Sequence, residues 1–232
     1  MNEELGIKNF GEQWYRRLKP MLESEEFRLL GGFLAQERMR STVYPSRELI
    51  FRAFRETPFN NVKVIILGQC PYNTPTDATG LAFANPNNKI VPQPSLKNIL
   101  LEVENDVYGG FDFKTTQNFE LLEWAHQGVL LLNTALTVVR NKPLSHAKQW
   151  RSFTEFVIRT LDQSHSGLVW LLWGKVAQSF KVFLTQNKHH ILETGHPVTP
   201  AYGRDCWFGN KHFSKTNELL ESMNGKESRI KW

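Results

Sequence analysis

Cysteine and long apolar runs are scarce in this chain. Its 232 residues include two cysteines, Cys70 and Cys206, which are too few for a disulfide framework, and no Cys or Cys/His spacing indicates zinc. The longest apolar stretches, such as residues 168–173, are too short to span a bilayer. The start, Met-Asn-Glu-Glu-Leu, is acidic and does not resemble a secretory signal. We therefore expect a cytoplasmic protein with two reduced thiols, outside the disulfide-rich and membrane-spanning classes.

Low-complexity tracts and internal repeats are also absent. With 41% hydrophobic residues, the chain has enough apolar material for one continuous core, and we expect a single domain over residues 1–232. The formal charge of +5 favours a polyanionic partner, because lysine and arginine bind phosphate groups by releasing condensed counterions. Many proteins this basic bind no nucleic acid, so charge alone assigns no partner.

Four short apolar runs have the length and β-branched content of buried strands. They are residues 62–67, 129–132, 168–173 and 190–192. Helical patterns separate them, and this alternation predicts an α/β protein of three layers, α/β/α, with a central four-stranded parallel sheet. Apolar residues recur at helical spacing after Ser95, which is a candidate N-cap, and again after Gly174. Ser152-Phe-Thr-Glu155 has the pattern of a capping box at the start of a helix.

The segments that follow the four runs are where a ligand is expected, because open parallel sheets bind ligands beyond the carboxyl ends of their strands. These segments have unusual sequences. They are Gly-Gln-Cys-Pro-Tyr-Asn from residue 68, Asn-Thr-Ala-Leu-Thr from residue 133, Gly-Lys from residue 174 and Gly-His-Pro-Val-Thr-Pro from residue 195. We predict that the four loops converge on one cleft.

Residues 68–83 read GQCPYNTPTDATGLAF. This stretch resembles, without a gap, the water-activating motif of the family-1 uracil-DNA glycosylases, GQDPYHGPGQAHGLAF. Cys70 stands where the family has Asp, and Asn73 stands where it has His. The resemblance extends from about residue 40 nearly to the end, including Leu-Leu-Leu-Asn-Thr-Ala-Leu-Thr-Val around Asn133. It implies the family's fold and a monomer that acts on uracil in single- or double-stranded DNA, in base excision repair, without a metal or organic cofactor.

Four residues are candidates for binding the uracil base. An enzyme that acts on a base in a duplex must rotate the nucleotide out and hold the base by its pairing edge and its π face. Phe83 is the candidate for stacking, and the Asn133 carboxamide complements the O4 and N3–H edge of uracil. The resemblance implies that Tyr72 excludes the methyl group of thymine and that the backbone of Gln69 contacts the base. The alternatives are that Phe83 is a core residue and that Asn133 caps a turn.

The loop after the fourth run supplies a candidate catalytic donor. His196-Pro197 resembles the start of the family's His-Pro-Ser-Pro-Leu-Ser loop, whose neutral histidine donates to uracil O2 as negative charge develops on the leaving base. The alternative is a histidine that only satisfies its own loop. The resemblance also assigns phosphate contacts to Ser95 and to Asn73, which can donate a hydrogen bond but cannot become cationic as histidine can.

The wedge that fills the hole left by a flipped base has no clear counterpart here. Val-Thr-Pro-Ala at residues 198–201 replaces the family's Ser-Pro-Leu-Ser, so Pro200 or Tyr202 would be a blunter wedge. The segment from residue 202 resembles the family's carboxyl-terminal segment, with one residue inserted near Cys206. Together these matches predict DNA contacts from Thr199, Pro200, Tyr202, Arg204 and Lys211.

Cys70 is the residue that puts the reaction in question. In the family, the Asp at this position orients water and stabilises the cationic sugar. A thiol with a pKa of about 8.5 is mostly protonated at neutral pH, and nearby phosphates favour its neutral form. Three hypotheses follow, in order of preference. They are a slow or altered glycosylase for uracil or another modified pyrimidine, a non-hydrolytic reader or decoy that binds uracil-DNA or a DNA-mimicking inhibitor protein, and a variant whose Cys70 attacks the sugar covalently.

Overall fold

The central element of the fold is a parallel sheet of four five-residue strands. The structure, a computed structural model, describes residues 2–110, 118–202 and 207–232, with the backbone alone at residues 201 and 202. The strands of the sheet are β2 (Val64–Gly68), β3 (Val129–Asn133), β5 (Val169–Trp173) and β6 (His190–Thr194). They lie in the order β3-β2-β5-β6. All residues of β2, β3 and β5 are buried, which explains why they read as continuous apolar runs.

Helices flank both faces of the sheet. The α-helices within the described residues are α1 (Glu3–Phe10), α2 (Glu12–Leu22), α3 (Glu25–Arg40), α4 (Arg52–Glu56), α5 (Pro94–Val107), α6 (Leu122–His126), α7 (Ala147–Ser164), α8 (Lys175–Gln178) and α9 (His212–Asn224). Helices α2, α3 and α7 pack together, whereas α5 packs on α9, which contacts β5. A separate antiparallel pair joins β1 (Val43–Tyr44) to β4 (Val138–Val139). None of the described helices combines the length and apolarity needed to cross a membrane.

Helix α7 illustrates how the sequence pattern produces the packing. Trp150, Phe153, Val157 and Leu161 recur at spacings of three and four residues and are all buried, so they form one apolar stripe along the helix. Phe153 lies 6.3 Å from Phe10 between ring centroids. The stripe therefore packs α7 against the amino-terminal helices. The amino-terminal end of α7 reaches the carboxyl edge of the sheet.

The predicted fold class is confirmed, and the four predicted strands are present with shifts of one or two residues at their ends. Three predictions about helices were wrong. Helix α5 begins at Pro94 with Gln93 at its N-cap, so Ser95 lies within the first turn, where the fixed φ of Pro94 suits the start of a helix. Ser152 and Glu155 lie inside α7, and Glu155 pairs with Arg159. The pattern after Gly174 is broken into α8 and a 3-10 turn, Lys181–Phe183.

Candidate active site

An open cavity of about 330 Å³ lies where the carboxyl ends of β2 and β3 meet the first turn of α5. It brings together eight of the residues predicted from the sequence: Gln69, Cys70, Tyr72, Asn73, Phe83, Ser95, Asn133 and His196. Its remaining lining residues were not predicted as site residues: Pro71, Ala78, Thr79, Gly80, Leu81, Pro143 and Val198. Three of the four predicted loops therefore line this cavity. The loop that begins at Gly174 does not line it, although a Cβ on Gly174 would lie 3.0 Å from the Cβ of His196.

The base of the cavity is the end of the β2-β3 pair. Gly68 and Asn133 are partners in the strand register, and a Cβ atom on residue 68 would collide with Oδ1 of Asn133. The N–H and hydroxyl of Thr134 donate to the carbonyls of Gly68 and Gln69, at 2.9 and 2.7 Å. Asn133 is buried, and none of the described residues hydrogen-bonds to its carboxamide. The absence of a glycine side chain therefore leaves that carboxamide next to the cavity with its donor and acceptor unused.

Tyr72 and Phe83 form a fixed wall. The hydroxyl of Tyr72 donates to the carbonyl of Phe83 at 3.0 Å and accepts from the backbone N–H of Leu96 in the first turn of α5. Burial, with a smaller contribution from the charge of Asp77, raises the pKa of Tyr72, so the phenol stays neutral. Phe83 has a φ of 65°, which is rare for a bulky residue, and its buried ring lies 5.6 Å from that of Trp173. Both rings are therefore held in place before any ligand binds.

His196 is a neutral hydrogen-bond donor in this environment. Burial lowers the pKa of its imidazole to about 4. The Nδ1 atom accepts from the backbone N–H of Val198 at 3.2 Å, which places the proton of the neutral ring on Nε2. The Cβ of His196 would lie 3.0 Å from a Cβ on Gly174, so this glycine permits the close approach. The Asn98 carboxamide donates to the carbonyl of Pro197, the residue after His196, at 2.7 Å.

Cys70 is a protonated thiol at neutral pH. Burial raises the pKa of its thiol above the ordinary value, and a hydrogen bond from the backbone N–H of Leu144 opposes this effect only in part. The Asn141 N–H donates to the carbonyl of Asn73 at 3.0 Å, so the loop that contains Leu144 is attached to the segment that contains Cys70. The sulfur therefore carries no charge that could polarise a water molecule or stabilise a sugar cation.

The residues predicted to contact DNA divide into four groups. Ser95 and Asn73 line the cavity. The hydroxyl of Thr199 donates to the carbonyl of His196 at 2.8 Å, so it serves its own turn, in which half-buried Pro200 follows. Lys211 is exposed and lies outside the cavity, and its N–H donates to the buried carboxylate of Glu102 at 3.1 Å. The side chain of Tyr202, as well as Arg204 and Cys206, lies outside the described residues.

Asp77 is a residue of the site region that the sequence did not reveal. Its buried carboxylate pairs with Lys89 and accepts from Thr74 at 2.5 Å and from Gln93 at 2.7 Å. Burial raises the pKa of this carboxyl, but the hydrogen bonds from Lys89, Thr74 and Gln93 outweigh burial and hold the pKa below its ordinary value. The hydrogen bond from Gln93, the N-cap residue of α5, ties the motif loop to the start of that helix. In the sequence, the feature that could have predicted a role for Asp77 is that this charged residue lies among small and apolar ones.

An aromatic ring, an unused carboxamide and a neutral imidazole donor meet at the carboxyl edge of a parallel sheet, and together they have the chemistry that base-binding sites use. Sequence comparison identifies the family. Residues 54–221 match the family model described as the uracil DNA glycosylase superfamily, and the chain belongs to that superfamily.

Relatives and solved structures similar to the chain carry the same description. It is 42% identical over 222 residues to "Uracil-DNA glycosylase 2" of Bacteroides fragilis, an alignment that covers 95% of this chain and 97% of the relative. It is 42% identical to "Uracil-DNA glycosylase" of Bacillus cereus, with 94% of each chain covered. The crystal structure of mimivirus uracil-DNA glycosylase superposes with a TM-score of 0.86 at 29% identity, covering 100% of this chain and 89% of that one. Two variants of the mimivirus protein have been solved in complex with UGI.

Proposed function

We propose that this protein is a DNA N-glycosylase of base excision repair that takes uracil from DNA into the cavity and hydrolyses its N-glycosidic bond, slowly because Cys70 replaces the water-activating Asp. The observation that supports this function best is the convergence of Phe83, Asn133, Tyr72 and His196 on one cavity. The names of the relatives point the same way. We propose that the protein acts as a monomer in the cytoplasm, on single- or double-stranded DNA.

Recognition of uracil follows from the polarity and shape of the cavity. The unused Asn133 carboxamide can accept from N3–H and donate to O4, whereas cytosine presents the opposite pattern at these two atoms. The ring of Tyr72 is fixed by its hydroxyl, so it cannot move aside for a 5-methyl group. Stacking on Phe83 adds affinity that does not depend on the base.

Bond cleavage depends on His196. As the glycosidic bond breaks, negative charge accumulates on O2 of the base, and the Nε2–H donor stabilises it. Because burial keeps the imidazole of His196 neutral, the ring does not have to lose a proton near neutral pH before it acts as a donor, and it does not have to reorient during the reaction. The thiol of Cys70 adds neither a base nor a charge, and the loss of a positioned general base costs about 10²- to 10⁴-fold in rate.

The two other hypotheses remain open to the same test. The raised pKa of Cys70 favours the non-hydrolytic binder or decoy over the covalent variant, because a nucleophilic cysteine must be a thiolate. Such a decoy would bind the proteins that recognise glycosylases, and the mimivirus structures in complex with UGI indicate an inhibitor of this kind as a partner to test.

Single-turnover release of uracil from one oligonucleotide distinguishes the hypotheses. We expect Cys70→Asp to release uracil about 10²-fold or more faster than the natural protein, the scale of a recovered general base, and Cys70→Ala to match the natural protein. A Cys70→Asp variant no faster than the natural protein would refute the slow-enzyme hypothesis. Covalent attack predicts instead that Cys70→Ala abolishes both turnover and a heat-stable protein-DNA band, while Cys206→Ser retains them. The decoy predicts uracil-DNA binding without release by any variant.

A further inference from the structure

A second cavity of about 300 Å³ lies beside the first on the carboxyl edge of the sheet. Its lining residues come from the end of β3, from the first turns of α7 and from α8 and the turn after it: Thr134, Ala147, Arg151, Lys175, Val176, Ser179 and Phe180. Thr134 directly follows Asn133 of the first cavity. Lys175 directly follows Gly174, which packs against His196. The two cavities therefore adjoin through consecutive residues of both loops.

The second cavity is positively charged. Arg151 and Lys175 are its charged lining residues, and neither forms an ion pair with any residue that the structure describes. Both side chains are exposed, and no acidic side chain is among the described residues that line the cavity. Two cations without a neutralising partner, next to a site for a flipped nucleotide, are complementary to an anion of the same DNA strand.

The guanidinium of Arg151 is oriented by aromatic rings. Its Cζ atom lies 5.1 Å from the ring centroid of Phe180 and 5.9 Å from that of Phe183. Contact with these rings restricts the long side chain, so less conformational entropy is lost when its N–H groups bind phosphate. Arg159, on the same helix, also contacts Phe183, at 4.7 Å, but it pairs with Glu155 at 3.1 Å. Arg151 therefore has no ion-pair partner among the described residues, whereas Arg159 pairs with Glu155.

We propose that the second cavity binds a backbone phosphate of a nucleotide that flanks the uracil, between the guanidinium of Arg151 and the ammonium of Lys175. This inference rests on the proposed function, because it assumes that a DNA strand enters the first cavity. It extends the DNA contacts beyond the predicted set, to the face of the sheet covered by α7. A phosphate contact of this kind positions the strand and is independent of base sequence.

The test is equilibrium binding of the full chain to a single-stranded oligonucleotide with one central uracil, and to its thymine counterpart, at several salt concentrations. We expect the Arg151→Gln/Lys175→Gln double variant to reduce the slope of log affinity against log salt by about 0.7, the value per phosphate contact with a single strand, and each single variant to account for part of that reduction. The reduction should be equal for uracil and thymine DNA. The matched control, Arg159→Gln, should leave the slope unchanged.

Two further arms make the result unambiguous. Arg151→Lys retains the positive charge, so it should restore most of the slope, which separates a charge effect from the loss of packing against Phe180. Oligonucleotides that end at the uracil on one side or the other should identify the flank, because the effect of both variants should vanish with one of them. Slopes that are unchanged in both Gln variants would overturn the phosphate site. The ratio of uracil to thymine affinity tests the proposed function separately, since phosphate contacts do not alter it.

Discussion

At the scale of single residues, the cavity depends on side chains that are small, neutral or unpaired where larger or charged ones would be more common. Gly68 leaves room for the Asn133 carboxamide, and His196 is kept neutral by burial. Cys70 is also neutral, so its thiol brings no charge to the cavity. The groups proposed to recognise the base and the position proposed to activate water are different residues, so substitutions can test each of them.

Asn133→Asp should relax discrimination toward cytosine. A buried carboxyl is protonated more readily than an exposed one, and its O–H and C=O can match the cytosine edge that a fixed carboxamide opposes. We expect a loss of about 1–3 kcal/mol in the preference for uracil over cytosine, measured by competition binding with cytosine-bearing mismatches. Exposed Asn141→Asp is the matched control, because it changes overall affinity without changing the ratio. An unchanged preference in Asn133→Asp would mean that Asn133 only caps its strand.

Gly68→Ala should impair both uracil preference and stability. The added Cβ would collide with Oδ1 of Asn133 and would lie 2.9 Å from the Cβ of Ala82, so the carboxamide or the motif loop must shift. Overpacking of this kind costs about 1–3 kcal/mol, measured by urea unfolding. The control is Gly32→Ala in α3, where a Cβ meets nothing within 4 Å and should stabilise the helix by about 0.5–1 kcal/mol. Equal stability of the two variants would contradict the steric argument.

At the scale of elements, α5 contacts two parts of the cavity. Its first turn supplies Ser95 to the lining and holds Tyr72 through the N–H of Leu96. Two residues after Leu96, the side chain of Asn98 donates to the carbonyl of Pro197. The backbone carbonyl of Asn98 accepts from the indole N–H of Trp207 at 3.0 Å. The helix therefore contacts both Tyr72 and the loop that contains His196.

Asn98→Leu should slow uracil release more than it weakens binding. Removing the carboxamide leaves the carbonyl of buried Pro197 without this donor, at a cost of about 1–3 kcal/mol, and lets the adjacent His196 shift. We expect a single-turnover rate at least about tenfold lower with a smaller change in the dissociation constant, because the His196 contact strengthens only as charge develops. Exposed Lys97→Leu controls for added apolar surface on the same turn. Equal losses in rate and affinity would argue against a positioning effect.

At the scale of the whole molecule, we expect the free energy of unfolding to decrease in acid. Burial lowers the pKa of five histidines below the ordinary value: His146, His165, His189, His196 and His212. For His196 and His212 the pKa is lowered from 6.5 to about 4. These groups bind fewer protons in the folded state than in the unfolded state, so stability is full above the unfolded pKa and is lost as the pH falls toward the folded pKa.

The free energy of unfolding should therefore decrease between pH 6.5 and pH 4. Each additional proton that the unfolded chain binds steepens the decrease by about 1.4 kcal/mol per pH unit. Urea unfolding at pH 7 and pH 5, at constant ionic strength, measures this change. A midpoint that stays the same at the two pH values would show that the buried histidines are not desolvated as the fold implies.

The amino-acid sequence by itself determined the alternation of buried strands and helices and the motif of residues 68–83. It also determined which loops follow the strands. These features follow from local backbone preferences and from the burial pattern of neighbouring residues, which any window of the chain displays. Ser152 and Glu155 show the limit of local patterns, since they fit a capping box yet lie inside α7.

Only the tertiary structure decided which polar groups meet and which protons they keep. It paired Asp77 with Lys89, placed Asn98 on the histidine loop and brought Arg151 beside Lys175. It also made His196 neutral and raised the pKa of Cys70. The reason is physical: proximity across the fold and removal from water depend on how distant elements pack, whereas a sequence pattern reports only on its own segment.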